Sequence, residues 1–515
     1  MTLRSRAVAS LAAAEVILAE PWATERLRQE FRAHRLRFEE TLRIALVGRI
    51  SSGKSTLTNA LLGGHKVATG TMELTYNVNW LRHGSPPRLE IHYTDGRPSE
   101  QARLDDLERF TVRPDEESSS PGQLSQSNDI EYIEVFDSSE FLDTFDVIDT
   151  PGLSSTYGLD SAKTERFLSR RRPDALVFVF EKGIHAESLD LLARFTGQWG
   201  TSANPLSVIG VLTKSDKNWA QLDHPMAHWR ENARKLMKPS STRRLLFGIQ
   251  PVAGLLASAA ATLSEREYAE LATLARIPAD RFHEELRFEP GFKHADLGLD
   301  PGRSQALLER FSGYGLHVAH GVLGPDGDKV DRIGLRDELL RLSGIQDLRD
   351  LLGRHFVRRA DLIKLQWIIT DLHDLRERAG PGLSDRGRAR LDQAIEKVTS
   401  LEHTEYAFRE IAVLRDLRIG AVELDEFESA QLSQACGADG TTAAARLGLR
   451  PDASIEELLG QARERRARWA ELDVSSTRPR RTRDAIRVGH EIHDGLVGWL
   501  ESAGEPAFIQ GAEPW

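Results

Sequence analysis

Short apolar runs alternate with helical stretches over residues 41–262. The apolar runs predict strands at 43–48, 88–93, 130–136, 145–149, 175–180, 207–213 and 246–252. Because strands that alternate with helices form largely parallel sheets covered on both faces, we expect an α/β fold here.

The rest of the chain has helical patterns. Residues 1–40 predict two helical segments around Pro21, which can serve as the first residue of the second helix. After about residue 262 the strand signal fades, and leucines at helical spacing predict an α-helical bundle that forms a neck or stalk. We therefore divide the chain into an N-terminal helical segment at 1–40, an α/β domain at 41–262 and a bundle at 263–515.

Composition narrows the class of protein. A chain of 515 residues suggests two to four domains. The net charge of −10 argues against a nucleic-acid binder. A single cysteine, Cys436, excludes an internal disulfide framework and suits a reducing cytosol. No apolar run approaches roughly 20 residues, so we expect a cytoplasmic protein whose membrane contact, if it has any, is peripheral on the inner face of the cell membrane.

The segment LRIALVGRISSGKSTLTNALLG at 42–63 carries the strongest chemical signal. It contains G-x-x-x-x-G-K-[ST] between an apolar strand and a helical pattern, which is the context of a phosphate-binding P-loop. Successive N–H groups and the helix N-terminus attract phosphate. Lys54 is expected to neutralise β and γ oxygens, and Ser55 to ligate Mg²⁺. The candidate phosphate-binding residues are Gly48, Arg49, Ser51, Ser52, Gly53, Lys54, Ser55 and Thr56.

Two further stretches complete the expected phosphate and metal site. DTPG at 149–152 follows a strand, so Asp149 is expected in the Mg²⁺ shell and Gly152 near the γ-phosphate. The alternative is a plain turn, which Pro and Gly also favour. Between the P-loop and DTPG, a threonine should reach Mg²⁺ and the γ-phosphate; Thr75 is preferred, with Thr71 and Thr69 as alternatives.

The base is predicted to be guanine. Thr213, Lys214 and Asp216 form the [NT]-K-x-D pattern after an apolar strand, with a solvated loop as the alternative. Asp216 can accept hydrogen bonds from guanine N1–H and its exocyclic amine, whereas adenine would leave the carboxylate unpaired. Val252 and Ala253, after the last predicted strand, are expected to close over the base.

These motifs, their wide spacing and the helical flanks resemble the dynamin-like large GTPases, in particular the actinobacterial isoniazid-inducible proteins of the smaller kind. NWLRHG at 79–84, ALLERFSGYGLHVAHGVL at 306–323 and GTTAAARLGL at 440–449 add to the likeness. The resemblance implies a GTPase domain at 41–262 that binds GTP and GDP with Mg²⁺. It also implies self-association through that domain, a neck formed by 1–40 with C-terminal helices, and action on membranes, with a second dynamin-like protein as a candidate partner.

The resemblance assigns catalytic roles to Ser51, Lys54, Thr75 and Gly152, with Ser51 positioning a charge-compensating cation. One position departs from the pattern. Ile50 stands where dynamin has a glutamine that orients the attacking water, which puts fast dimer-stimulated hydrolysis in doubt. The neighbouring Arg49 is a candidate arginine finger in trans, and the alternative is an exposed charge.

Two functions remain open. The first is a mechanochemical enzyme that assembles with GTP and remodels a membrane. The second is a slow GTPase switch or scaffold that regulates a cytosolic protein partner; Ile50 and the absence of an apolar membrane paddle favour it. A basic cluster is the candidate contact with anionic lipid, although such runs are usually solvated faces. It consists of Arg478, Arg480, Arg481, Arg483 and Arg487.

Overall fold

The computed structural model of the chain contains two compact units. The sheet unit comprises Thr41–Trp199 and Ser207–Asp350, and the helical unit comprises Met1–Glu40, Gly200–Leu206 and Leu351–Trp515. The structure describes residues 2–64, 67, 77–111, 129–151, 166–168, 170–184, 189, 192–193, 205–222, 224–287, 292, 296–475 and 477–502, without the side chains of 108, 215 and 475.

The sheet unit is built on a nine-stranded mixed sheet with the order β4-β3-β5-β2-β6-β1-β7-β8-β9. The strands are β1 Leu42–Gly48, β2 Val78–His83, β3 Arg88–Tyr93, β4 Glu100–Ala102, β5 Ile130–Asp137, β6 Phe145–Asp149, β7 Ala175–Glu181, β8 Val208–Thr213 and β9 Gly248–Pro251. Pairing is parallel from β6 through β1, β7 and β8 to β9 and between β2 and β5, whereas β2–β6, β3–β5 and β3–β4 are antiparallel. The predicted mostly parallel α/β fold is confirmed.

The carboxyl ends of the parallel strands position the site. β1 lies at the centre of the sheet and is buried along its whole length, as β6 and β8 are. Strands covered on both faces read as continuous apolar runs, which is why the pattern predicted them. These strands end at Gly48, Asp149 and Thr213, so the three predicted motifs begin along one edge of the sheet.

Strand β2 was not predicted from the hydrophobic pattern. Trp80 and Leu81 are both buried, so the strand lacks a regular apolar–polar alternation. Two polar side chains of the strand are paired with one carboxylate: Trp80 Nε1 donates to Asp146 at 3.2 Å, and Arg82 pairs with the same carboxylate at 3.3 Å. The buried side-chain amide of Asn79 has no hydrogen-bond partner among the described residues. Because the partner Asp146 lies on the neighbouring strand β6, the sequence of β2 alone does not indicate that these polar residues belong to a buried strand.

Helices of the described residues flank the sheet and form the helical unit. In chain order they are α1 Leu3–Leu18, α2 Glu25–Glu39, α3 Lys54–Leu62, α4 Leu107–Thr111, α5 Glu140–Thr144, α6 Pro225–Leu236, α7 Ser240–Arg243, α8 Gly254–Ala261, α9 Glu265–Ala275, α10 Ala279–Arg287, α11 Pro301–Leu323, α12 Arg332–Leu342, α13 Ile345–His355, α14 Ala360–Ala379, α15 Asp385–Thr399, α16 Leu401–Thr404, α17 Tyr406–Ile419, α18 Glu426–Ala435, α19 Ala443–Leu447, α20 Ile455–Ser475 and α21 Arg480–Ser502.

The sheet unit extends well beyond the predicted boundary at residue 262, to Asp350. The physical reason is close packing of later helices onto earlier ones. A Cβ added at Gly315 of α11 would lie 3.0 Å from Leu256 of α8. Arg349 of α13 donates to the carbonyls of Ala60 and Leu61, at 3.1 and 2.8 Å, and so caps the end of α3.

In the helical unit, the N-terminal helices pack with helices of the C-terminal part of the chain. α1 lies against α15, and Arg4 pairs with Asp361 of α14 at 2.9 Å. Pro21 does not begin the second helix. Thr24 accepts a hydrogen bond from the Leu27 N–H and caps α2, and a hydroxyl acceptor is what that position requires.

Candidate nucleotide-binding site

The predicted P-loop is a tight turn between β1 and α3. Gly48 has no room for a side chain, because an added Cβ would lie 2.2 Å from the carbonyl oxygen of Val179. Gly53 has φ +92°, a left-handed conformation that glycine adopts at little cost. Ser51 also has a positive φ of 57° and is exposed. The turn therefore curls its backbone in front of the N-terminus of α3, as an anion-binding loop does.

Lys54 begins α3 and folds back over this turn. Its side chain is buried at 7% exposure, and Nζ donates to the carbonyls of Gly48 at 3.2 Å and Arg49 at 3.0 Å. The buried Ser52 hydroxyl has no hydrogen-bond partner among the described residues. Arg49 is exposed, and Ile50 is half-buried.

A buried carboxylate lies beside the first turn of α3. Asp149 is fully buried, and its Oδ2 accepts a hydrogen bond from the Ser55 hydroxyl at 3.1 Å. Its Oδ1 has no hydrogen-bond partner among the described residues. Burial raises the pKa of Asp149 to about 6, although Lys54 and the Ser55 hydrogen bond oppose the rise. A hydroxyl and a carboxylate with an unpaired oxygen fit Mg²⁺, which prefers hard oxygen ligands.

The predicted base-recognition segment is tied to the P-loop. The Thr213 hydroxyl lies 2.6 Å from the Ser52 carbonyl oxygen and 3.1 Å from that of Phe180, and it can donate to one of them at a time. Lys214 has a positive φ of 55°, and its Nζ lies 3.4 Å from Glu181. Asp216 is 6% exposed. Burial raises its pKa, which a hydrogen bond from Ser312 at 3.2 Å counteracts.

Val252 and Ala253 lie in the same unit, immediately after β9, and both are buried. The Val252 N–H donates to Leu212 O and the Ala253 N–H to Ser343 O, each at 2.9 Å. The next residue, Gly254, begins α8, where an added Cβ would lie 3.4 Å from Thr56 of α3. Backbone hydrogen bonds and close helix packing therefore fix this segment beside the P-loop helix.

The structure thus brings together the P-loop residues, Asp149, the 213–216 segment and the 252–253 segment. The predicted Gly152 and Thr75, with the alternatives Thr71 and Thr69, lie outside the described residues. The contact between Ser312 and Asp216 was missed from sequence. It joins residues 96 positions apart, and no motif spacing could have indicated it.

In the basic cluster of α21 and the residues before it, Arg478 is engaged within the protein, whereas the other four arginines are exposed. Arg478 makes two hydrogen bonds to the buried Glu428, at 2.8 and 3.1 Å. Arg480 pairs with Asp484 at 3.7 Å, and Arg487 lies 4.0 Å from Asp473. In the part of the chain that is described, no helix combines the length and the apolar character that crossing a bilayer requires.

Comparison with known proteins identifies the family of the chain. The sequence profile described as the dynamin family matches residues 44–215, which hold the P-loop, Asp149 and Thr213. The isoniazid-induced protein IniC of Mycobacterium tuberculosis is 31% identical over 82% of this chain and 83% of its own length. Dynamin-like protein 2 of Campylobacter jejuni is 26% identical over 27% of this chain and 21% of its own.

Among solved structures, a chain from an oligomerised bacterial dynamin pair, described as providing a mechanism for the long-range sensing and tethering of membranes, is similar at 13% identity and a TM-score of 0.34. The match covers 96% of this chain and 90% of that one. The fold and the site define a P-loop GTPase. The extent of the similarity to IniC places the chain in the dynamin family, as a bacterial dynamin-like GTPase that hydrolyses GTP.

Proposed function

We propose that the edge of the sheet at Gly48, Asp149 and Thr213 binds GTP with Mg²⁺. The observation that carries this proposal is the fully buried Asp149, whose Oδ1 has no hydrogen-bond partner among the described residues and which lies beside Ser55 and Lys54. An unpaired buried acceptor costs free energy unless a ligand completes it. Ser55 and Asp149, with Thr75 as the switch threonine, would hold Mg²⁺, which neutralises phosphate charge when bound.

The remaining residues would orient the nucleotide. Backbone N–H groups of Gly48 through Thr56 surround the phosphates, Lys54 turns from the two carbonyls to the β and γ oxygens, and Ser51 and Gly152 act at the γ-phosphate. Lys214 lies along the base, and Val252 and Ala253 close over it. Asp216 accepts from guanine N1–H and the exocyclic amine, so adenine would leave a buried carboxylate unpaired.

GTP turnover in this proposal drives self-association through the sheet unit, linked to membrane remodelling or maintenance from the cytoplasmic side. Membership of the dynamin family, whose profile matches residues 44–215, supports it. Exposed Arg49, beside the P-loop, is available to a second copy as a trans-acting cation. A second dynamin-like protein is the alternative partner for the same surface.

A slow GTPase switch or scaffold for a cytosolic protein is the second candidate function. Ile50 favours it, because an aliphatic side chain cannot orient an attacking water by a hydrogen bond. The hydrogen bonds of Arg478 to the buried Glu428 also remove one arginine from the candidate lipid-binding surface.

The experiment that separates the two functions is steady-state GTP turnover over a protein concentration series, with and without anionic liposomes. Turnover per molecule that rises with both supports an assembling, membrane-active enzyme. Slow turnover that is flat in both supports the switch. Lys54→Ala is the control for contaminating GTPase, since it removes the phosphate counter-charge.

A further inference from the structure

Helix α11 is interrupted at one residue beside the predicted base-recognition segment. Ser312 has φ 62° and ψ 168° inside an otherwise helical stretch from Pro301 to Leu323. Non-glycine residues rarely hold a positive φ, and such strain persists where the surroundings impose it and often where function uses it. The next residue is Gly313, so the positive φ falls on the serine and not on the neighbouring glycine, which would adopt it at little cost.

The break directs the Ser312 hydroxyl to Asp216. Oγ donates to Asp216 Oδ2 at 3.2 Å, and the carboxylate is 6% exposed. A carboxylate oxygen has two lone pairs, so Oδ2 can accept from Ser312 and from a ligand together. Hydrogen bonds to a buried charged group are stronger than neutral ones, and this bond therefore restrains the carboxylate.

Contacts of the residues that follow the break fix where Ser312 lies. An added Cβ at Gly315 would lie 3.0 Å from Leu256, which leaves no space for α11 to slide toward α8. The Tyr314 hydroxyl donates to Leu342 O at 3.2 Å, and the His317 ring stacks on Trp219, three residues after Asp216, at 4.8 Å. The segment that carries Asp216 and the segment that carries Ser312 are thus joined by the His317–Trp219 stack and by the Ser312–Asp216 hydrogen bond.

We propose that Ser312 is a positioning residue for guanine recognition: its hydroxyl holds the Asp216 carboxylate in the orientation that meets the N1–H and the exocyclic amine of the base. This inference rests on the proposed guanine site. Inosine lacks the exocyclic amine, so a correctly oriented carboxylate distinguishes guanosine from inosine nucleotides, and a carboxylate free to rotate does so less well.

The test compares Ser312→Gly and Ser312→Ala with the wild type. GDP, IDP and ADP affinities are measured by isothermal titration calorimetry, and the midpoint of thermal unfolding is measured by differential scanning calorimetry. Ser312→Gly removes the hydroxyl and also relieves the strained φ, so its stability should equal or exceed that of the wild type while GDP affinity falls by about tenfold. Ser312→Ala should weaken GDP binding similarly. In both variants the preference for GDP over IDP should shrink, and KM for GTP should rise with kcat nearly unchanged.

Two results would overturn the inference: wild-type GDP affinity and GDP/IDP preference in both variants, or equal loss for all three nucleotides, which indicates general loosening of the site. The wild-type arm tests the underlying proposal separately. If the wild-type protein binds ADP as well as GDP, the guanine site itself is wrong; if it prefers GDP and the variants keep that preference, only the role of Ser312 fails.

Discussion

The two units each contain a buried lysine with similar contacts, but their buried carboxylates differ. In the sheet unit, Lys54 donates to the carbonyls of Gly48 and Arg49; in the helical unit, Lys364 donates to those of Phe38 and Glu40. Both side chains are less than a tenth exposed. The carboxylates differ more. Glu410 meets Arg446 through two hydrogen bonds of 2.9 and 3.0 Å, whereas Asp149 keeps one oxygen unpaired among the described residues.

An unpaired buried atom alone does not mark function, since Glu405 Oε1 of the helical unit also has no hydrogen-bond partner among the described residues; Asp149 differs because it lies beside the P-loop residues Lys54 and Ser55. A buried charge that is paired within the protein holds helices in place, and breaking the pair costs stability. A buried acceptor left without a partner destabilises the free protein and is a candidate for completion by a ligand. On this reasoning, changes at Arg446 and Lys364 should affect unfolding, and changes at Lys54 and Asp216 should affect nucleotide handling.

The largest expected effect is on stability. Arg446→Met removes both hydrogen bonds that the Arg446 guanidinium makes to the buried Glu410 carboxylate, so we expect the free energy of unfolding to fall by about 3–5 kcal/mol, measured by chemical denaturation. The double variant Arg446→Met with Glu410→Leu removes both charges and should recover most of that loss. If the double variant were as unstable as the single one, packing rather than charge pairing would explain the effect.

The paired lysine variants follow. Lys54→Ala should reduce GTP turnover per folded molecule by at least about 100-fold, since it removes the counter-charge for the phosphates. Lys364→Ala removes a matching pair of buried hydrogen bonds, to the carbonyls of Phe38 and Glu40, so each variant should lower the free energy of unfolding by about 1–3 kcal/mol, but Lys364→Ala should leave turnover per folded molecule near wild type. Wild-type turnover in Lys54→Ala would contradict the assignment of Lys54 to the phosphate-binding site.

The third effect concerns the choice of base. The wild-type protein should prefer GTP over ATP by at least about tenfold, and Asp216→Asn should relax that preference, because an amide cannot accept from both guanine donors. The affinities for GTP and ATP are measured by the displacement of a bound fluorescent guanine nucleotide, in the wild type and in the variant. Equal affinity for the two in the wild type would contradict base recognition by Asp216.

The smallest effect is a pH dependence of the helical unit. Burial lowers the pKa of His493 to about 4; Nδ1 donates to Gly489 O at 2.6 Å, and Nε2 has no hydrogen-bond partner among the described residues. A lowered folded-state pKa means that stability is present above the unfolded pKa, near 6.5, and is lost as pH falls toward the folded value.

Because the unfolded state binds a proton at His493 more tightly than the folded state, we expect the free energy of unfolding to fall by about 1 kcal/mol as the pH is lowered from about 7 to about 5.5. His493→Asn, whose amide can keep the bond to Gly489, should show a shallower acid slope in chemical denaturation. An acid slope identical to that of the wild type would mean that other groups, such as the buried His355, dominate the pH response.

How far the sequence predicted the molecule depends on how local each feature is. The buried parallel strands were predicted from apolar runs, and the segments beginning at Gly48 and Thr213 were correctly expected at strand ends. Residues beyond 262 join the sheet unit because Gly315 and Arg349 pack against helices far away in sequence. The pattern of α11 shows its helix but not the break at Ser312 or the contact with Asp216, since no local periodicity encodes them.

The most direct test of the account is a crystal structure of the protein with GDP and Mn²⁺, in which the anomalous signal locates the metal. We predict a peak at ligand distance from the Ser55 hydroxyl, with Asp149 Oδ1 directed to the metal or to one of its waters, Lys54 on the β-phosphate and the guanine edge on Asp216. A nucleotide bound elsewhere, or a metal remote from Ser55 and Asp149, would contradict the claim that this edge of the sheet binds GTP with Mg²⁺.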